Sequence, residues 1–205
     1  MLYEHIVIKT NDISPFSFIL QEGFGITIKS GSTLKQLLCD QCNIPSDYID
    51  RRIKTAFLNQ KPVDNFDTVI VNDQDSLGLS GAMPGLVGAI FRKNSVLSVF
   101  RRNISYSYSG ISNKTDIKDG VLTVKLFNFL IKEIGATFFE KGVLIQSESL
   151  KKVIETERFR KKTALNTILV NGQKQNWRSD SFFLNIKSDQ TVLLMIERKE
   201  CTQNE

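Results

Sequence analysis

"FGITIKSGSTLKQLL", Phe24 to Leu38, decides how the rest of the chain is read. Phe24, Ile26 and Ile28 alternate with Gly25, Thr27 and Lys29, the period-two pattern of a strand with one buried face. After the strand FGITIKS, Phe24 to Ser30, Ser32 or Thr33 can cap a helix in which Leu34, Leu37 and Leu38 recur at helical spacing. A one-faced strand followed by a one-faced helix buries its apolar surface only if the helix lies across a sheet. The stretch therefore predicts an α+β architecture.

Working outward, FSFIL (Phe16 to Leu20) reads as a preceding strand, joined to FGITIKS by the turn QEG as a hairpin. Downstream, NIPSDYIDRR leads into the strand IKTAFLN. Asn59 and Gln60 form a turn before KPVD, and TVIVND and SLGLSGA complete the set. The second half follows the same order. VLTVKLF (Val121 to Phe127) is a strand followed by FLIKEIG; ATFFEKGVLIQ leads to a capped helix SESLKKVIE; NTILVNGQK carries an Asn171-Gly172 turn; TVLLMIERK is last. Asn-Gly between apolar residues is a strong hairpin signal. Three anchors align the halves in order: Leu34 with Leu150, Asn59 with Asn171 and Leu77 with Val192, at separations of 116, 112 and 115 residues. Such a drift, only four residues wide, predicts a duplicated fold.

The order strand, strand, helix, turn-bearing strand, final strands resembles the β-grasp. ITIKSGSTLKQLL, AFLNQKPVDNFDTVIVNDQDSLGLSGAMPG, VKLFNFLIKEIG and ILVNGQK resemble segments of the ubiquitin-like sulfur carriers, such as the small subunit of molybdopterin synthase and the thiamine-biosynthesis carrier. The resemblance implies two tandem β-grasp domains, each a small mixed sheet with one main helix. The first would span residues 1–89 and the second 119–205 with a polar C-terminal tail, joined by a basic, apolar connector at 90–118. These carriers act through a C-terminal Gly-Gly. Here the first pattern ends in Pro84-Gly85-Leu86-Val87-Gly88-Ala89, without that pair, and the chain runs on. A carrier or modifier would need cleavage after Gly85 or Gly88 by a protease, and an activating enzyme as partner.

The charge of the chain is localised. It has 27 Lys and Arg against 22 Asp and Glu, a net charge of +5. No acid occurs between Ser76 and Thr115, a span holding Arg92, Lys93, Arg101, Arg102 and Lys114; those five equal the whole excess. They flank an apolar run in which Asn94 or Ser95 can cap a short helix bearing Val96, Val99 and Phe100 on one side. Leu86, Phe91, Arg92, Lys93, Phe100, Arg101 and Arg102 are accordingly the candidate partner-binding residues, and an acidic protein is the expected partner. Binding of nucleic acid through Arg92, Lys93, Arg101, Arg102, Tyr106 and Tyr108 is a weaker alternative, since five charges over forty residues is modest.

Catalysis is not expected. The single histidine, His5, removes most His-based acid–base schemes, and no phosphate-binding glycine motif is present. Cys39 and Cys42 form a lone CxxC without two further ligands, near the end of the predicted helix. They read as buried or half-buried thiols, so neither metal nor cofactor is expected. Asp64, Asp67, Asp73 and Asp75 read as turn acids. No apolar run approaches the roughly 18 residues of a membrane span. The N-terminal MLYEHIVIKTND lacks the pattern of a secretory signal, so a cytoplasmic protein is expected.

Overall fold

Alternating burial along the strands organises the molecule. The computed structural model of the chain describes residues 3–106, 118–157, 159, 167–175 and 189–198. Tyr108 and Lys114, singled out in the basic segment, lie outside them. Strands among the described residues are β1 (Glu4–Lys9), β2 (Phe24–Lys29), β3 (Thr55–Leu58), β4 (Lys61–Pro62) and β5 (Ser76–Ser80). They continue with β6 (Asp119–Phe127), β7 (Val143–Gln146), β8 (Thr167–Val170), β9 (Gln173–Gln175) and β10 (Thr191–Glu197). The α-helices are α1 (Ser17–Glu22), α2 (Leu34–Gln36), α3 (Ser46–Arg52), α4 (Gly85–Phe91), α5 (Leu130–Lys141) and α6 (Ser147–Glu155). The fold is mixed α+β, and it divides into two compact units, residues 20–135 and residues 1–19 with 136–205.

In the unit formed by residues 20–135 the strand order is β4-β3-β5-β6-β2. β5 and β6 run parallel, with Gly78 opposite Lys125, while β3 pairs antiparallel with β5 and β2 pairs antiparallel with β6. Ile26 and Ile28 of β2, Leu77 and Leu79 of β5, and Leu122 and Leu126 of β6 are buried on one face, as alternation requires. Thr33 caps α2 through a capping box: its hydroxyl accepts from Gln36 N–H, and the Gln36 side chain accepts from Thr33 N–H. A π-helical turn, Leu37–Gln41, continues α2 and buries Leu37 and Leu38. Cys39 within it is half-buried and Cys42 just after it is buried. Burial and the neighbouring Asp40 carboxylate raise the Cys39 thiol above its ordinary value.

The other unit has the order β7-β10-β1-β8-β9. β1 and β10 are parallel, β8 is antiparallel to β1, and β7 is antiparallel to β10. Val192, Leu194 and Ile196 of β10 and Ile6 and Ile8 of β1 are buried. Phe16 meets Phe139 and Phe159 edge-on at centroid distances of 5.9 and 5.7 Å, adding an aromatic cluster to this core.

Each unit thus holds a two-strand hairpin, a parallel central pair and an antiparallel flanking strand, in that order. The turns match as well. Asn59 and Gln60 have φ of 49° and 67°, and Asn171 and Gly172 have φ of 49° and 81°. Positive φ at both central residues is the type I′ geometry that suits the twist of a hairpin. The carboxamide oxygen of Asn59 accepts from Ser76 N–H, and that of Asn171 accepts from His5 N–H. Each turn is thereby tied to the adjacent central strand.

Chain order differs between the units. β5 lies beside its hairpin, whereas β10, its counterpart in the sequence alignment, lies one place further out, with β1 between. Exchanging two parallel neighbours leaves every antiparallel pairing intact, which is why both arrangements are sterically acceptable. Residues 90–118, expected as a connector between sequential domains, fall between β5 and β6 of one unit. Each unit takes strands from both halves of the sequence.

Two segments depart from the expected strands. FSFIL is helical, with the 3-10 turn Ser14–Phe16 entering α1. Pro15 supplies no N–H for a ladder, and Phe16, Ile19 and Leu20 are buried at helical spacing. The place beside β2 is taken by β6. TVIVND forms no strand; Val69 and Val71 are buried, and Ile70 makes a single bridge to Thr33.

A split-chain experiment tests this arrangement. Fragments 1–106 and 107–205, expressed separately, are each expected to lack amide dispersion by NMR, because each lacks a central strand. Mixing them is expected to restore dispersion and a cooperative thermal transition. Two independently folded fragments would contradict this strand pairing.

Candidate functional site

Two parallel neighbours cannot be joined by a tight turn, so the chain between β5 and β6 must travel back along the sheet. Residues 81–106 make the described part of that return, and they form the candidate surface. Pro84 has extended backbone, and Gly85 starts α4 with φ 75°, a conformation that favours glycine. Gly88 is buried against the preceding loop. A Cβ there would stand 2.2 Å from the Met83 carbonyl oxygen, so only glycine lets α4 fold back this closely.

The helix then docks on the hairpin. The Phe91 ring lies 5.4 Å from that of Phe57 on β3, and Lys93 N–H donates to Lys54 C=O at 2.7 Å. Asn94 turns the chain with φ 58°, and its N–H donates to Asp64 Oδ1 at 3.2 Å. Ser95 caps the 3-10 helix Val96–Arg101, its hydroxyl accepting from Leu97 N–H. Tyr106 N–H donates to Pro62 C=O on β4 at 2.8 Å.

Arg101 anchors this assembly and is only 2% exposed. Nε donates to Ile90 C=O at 2.7 Å. Nη1 donates to Asp64 Oδ2 at 2.9 Å and Ser105 Oγ at 2.7 Å. Nη2 donates to Asp64 Oδ1 at 2.7 Å and Arg92 C=O at 3.3 Å. All five donors of the guanidinium are thus used, which is what a buried arginine requires. Burial alone would raise the Asp64 carboxyl; hydrogen bonds from Arg101 and Asn94 N–H, with the guanidinium charge, hold it below the ordinary carboxylate range.

The candidate residues divide into two groups. Arg101 is a structural clamp whose charge is already matched. Lys93 is half-buried: its ammonium sits 4.5 Å from the Phe66 ring centroid and 3.7 Å from Asp50 Oδ1, and burial lowers its pKa despite the Asp50 carboxylate. Phe91, the last residue of α4, is half-buried against Phe57. The others face outward: Leu86 is 68% exposed and Phe100 75%, and Arg92 and Arg102 are exposed. Val87, Val96, Val99 and Ile104 are also exposed, Val96 by 87%.

Among the acids read as turn residues, Asp73 accepts from Val121 N–H, and Asp75 accepts from Asn72 N–H and Asn59 Nδ2. Asp64 instead serves Arg101, a pairing 37 residues apart that no local pattern announces. No helix among the described residues is long and apolar enough to cross a membrane. Compared with protein families, curated proteins and solved structures, the chain finds no match.

The clamp yields two expected results. Arg101→Met removes five donors and leaves Asp64 and two carbonyls without their partner, at a cost of about 3 kcal/mol by urea unfolding. Asp64 has a lowered folded-state pKa, so its contribution is complete above its unfolded value and lost as pH falls through the folded one. Between about pH 5 and about pH 2 the wild type should therefore lose more stability than Asp64→Asn. Equal losses would remove the pair from the acid response.

Proposed function

We propose that this chain is a non-enzymatic adaptor built from β-grasp-type units, binding another protein through α4 and the 3-10 helix Val96–Arg101. The observation that carries the reading is that Leu86, Val87, Val96, Val99 and Phe100 are exposed on two helices in mutual contact. Exposed apolar groups of this size, gathered and rimmed by charge, mark interaction sites more often than isolated surface residues do. Their frame is fixed by Arg101 and Gly88, so little conformational entropy is lost on docking. Arg92 and Arg102 are exposed beside them, and no acid occurs between Ser76 and Thr115. The matching partner is a protein segment with an apolar face and acidic flanks. The β-grasp character is supported by a parallel central pair flanked by antiparallel strands, with a helix directly after β2 and after β7.

Release of a carrier is less well supported. Gly85 is open, but Gly88 lies within a packed helix. Cleavage at either position would also separate β5 from β6, its parallel neighbour, so no self-contained unit would be freed. Nucleic-acid binding loses support with the burial of Arg101 and the engagement of Lys93 by Asp50.

Photo-crosslinking in the native host tests the adaptor reading. A benzophenone side chain placed at Val96 or at Phe100 is expected to label one and the same protein, through a peptide combining apolar and acidic residues. Arg92→Glu with Arg102→Glu should reduce labelling at least tenfold while leaving the melting temperature unchanged. Absence of a common labelled protein would overturn the proposal, and an intact-mass spectrum showing chains ending at Gly85 or Gly88 would favour processing.

A further inference from the structure

The outer face of the β3-β5-β6 sheet carries a second concavity, distinct from the exposed helical surface. It has a volume of about 650 Å³, within the roughly 300–1,000 Å³ of small-molecule sites. Its construction follows from register. Phe57 on β3, Gly78 on β5 and Lys125 on β6 stand opposite one another across three adjacent strands, so they share a face. Phe127, two residues beyond Lys125, shares it as well.

Gly78 leaves a slot between aromatic walls. A Cβ added there would lie 3.6 Å from Phe127 Cε2 and 3.9 Å from Phe57 Cβ. A Cβ at position 78 would thus touch both neighbours, and its absence leaves the floor of the slot open between Phe57 and the Phe127 ring. Met83 adds a further apolar wall.

Lys125 is the one charged residue of this lining. It is half-buried, and among the described residues it makes no salt bridge. Its stem lies over Gly23 beside β2, where an added Cβ would stand 3.1 Å from Lys125 Cε. The rim is polar. Asn128 Nδ2 donates to Ser80 Oγ at 2.9 Å, fixing its carboxamide at one end. Gln60 lies in the lining as well, in a left-handed backbone position that glycine fills in the equivalent turn of the other unit. An apolar slot with amide groups and a single cation selects by charge as well as by shape.

The geometry points to a binding site for a planar aromatic monoanion, its ring between Phe57 and Phe127 over Gly78 and its anionic group on the Lys125 ammonium. Such a ligand fills the slot and sets its charge against the Lys125 ammonium. A neutral ring would forgo that ammonium, and an aliphatic acid would forgo the two walls.

Titration with 2-naphthoate, followed by amide NMR of the full chain, tests this assignment. Saturable shifts are expected on β3, β5 and β6 around Phe57, Gly78 and Lys125, with 2-naphthalenemethanol binding at least tenfold more weakly. Lys125→Met keeps the aliphatic stem and should weaken naphthoate about tenfold, the usual effect of losing one charge-assisted hydrogen bond. Gly78→Val fills the slot and should abolish binding. If that variant fails to fold, Lys125→Met decides alone. Shifts centred on Val96 and Phe100, unchanged affinity in Lys125→Met, or no saturation would each overturn the assignment. Because Phe100→Asp should leave naphthoate binding intact, failure of this assignment is separable from failure of the adaptor reading.

Discussion

Parallel strand pairing is the constraint on which this structure turns. An antiparallel pair closes with two residues, as Asn59–Gln60 and Asn171–Gly172 do, but a parallel pair must be joined by a chain long enough to return to its starting edge. β5 and β6 form such a pair, and the returning segment carries α4, the 3-10 helix and the arginine clamp. An excursion this long gains stability only if it packs. Gly88 against Met83, Phe91 against Phe57 and Arg101 against Asp64 supply that packing. The same contacts leave one side of the segment facing outward, where its apolar residues have no covering layer among the described elements.

Local signals in the sequence translated well into local structure. The Thr33 cap, the Ser95 cap, both type I′ turns and the strands at 55–58, 76–80, 119–127, 167–170 and 191–197 all follow from side-chain chemistry within a few residues. What stayed hidden was partner choice. Two parallel central strands carry the same alternating pattern and run the same way, so nothing in their residues says which of them flanks the hairpin. β1 illustrates the point: its pattern suits a strand, yet both its neighbours lie more than 150 residues away. FSFIL failed for a different reason, since a short apolar run beside a proline is compatible with either period.

At the candidate site the sequence singled out the segment but not the division of labour within it. Counting charges treats Arg101 and Arg102 alike, although one is sealed into a five-bond cage and the other faces outward. That distinction depends on Asp64, which local reasoning assigns to a turn. The outer sheet groove was invisible for a related reason: Phe57, Gly78 and Lys125 meet only through a register involving three strands. Phe57 serves both places, supporting Phe91 with its ring and lining the groove beside Gly78.

The position of β1 has a consequence for how the chain is made. A ribosome delivers residues 4–9 long before the strands that bracket them, at 167–170 and 191–197. Until those strands arrive this apolar ribbon has both edges open, the state in which strands pair with the wrong neighbour. β2 and β5 wait less, since β6 follows at 119–127. The protein is therefore expected to mature in two stages, with the unit of residues 20–135 assembling before the other. Its yield should depend on whatever shields the first strand in the interval.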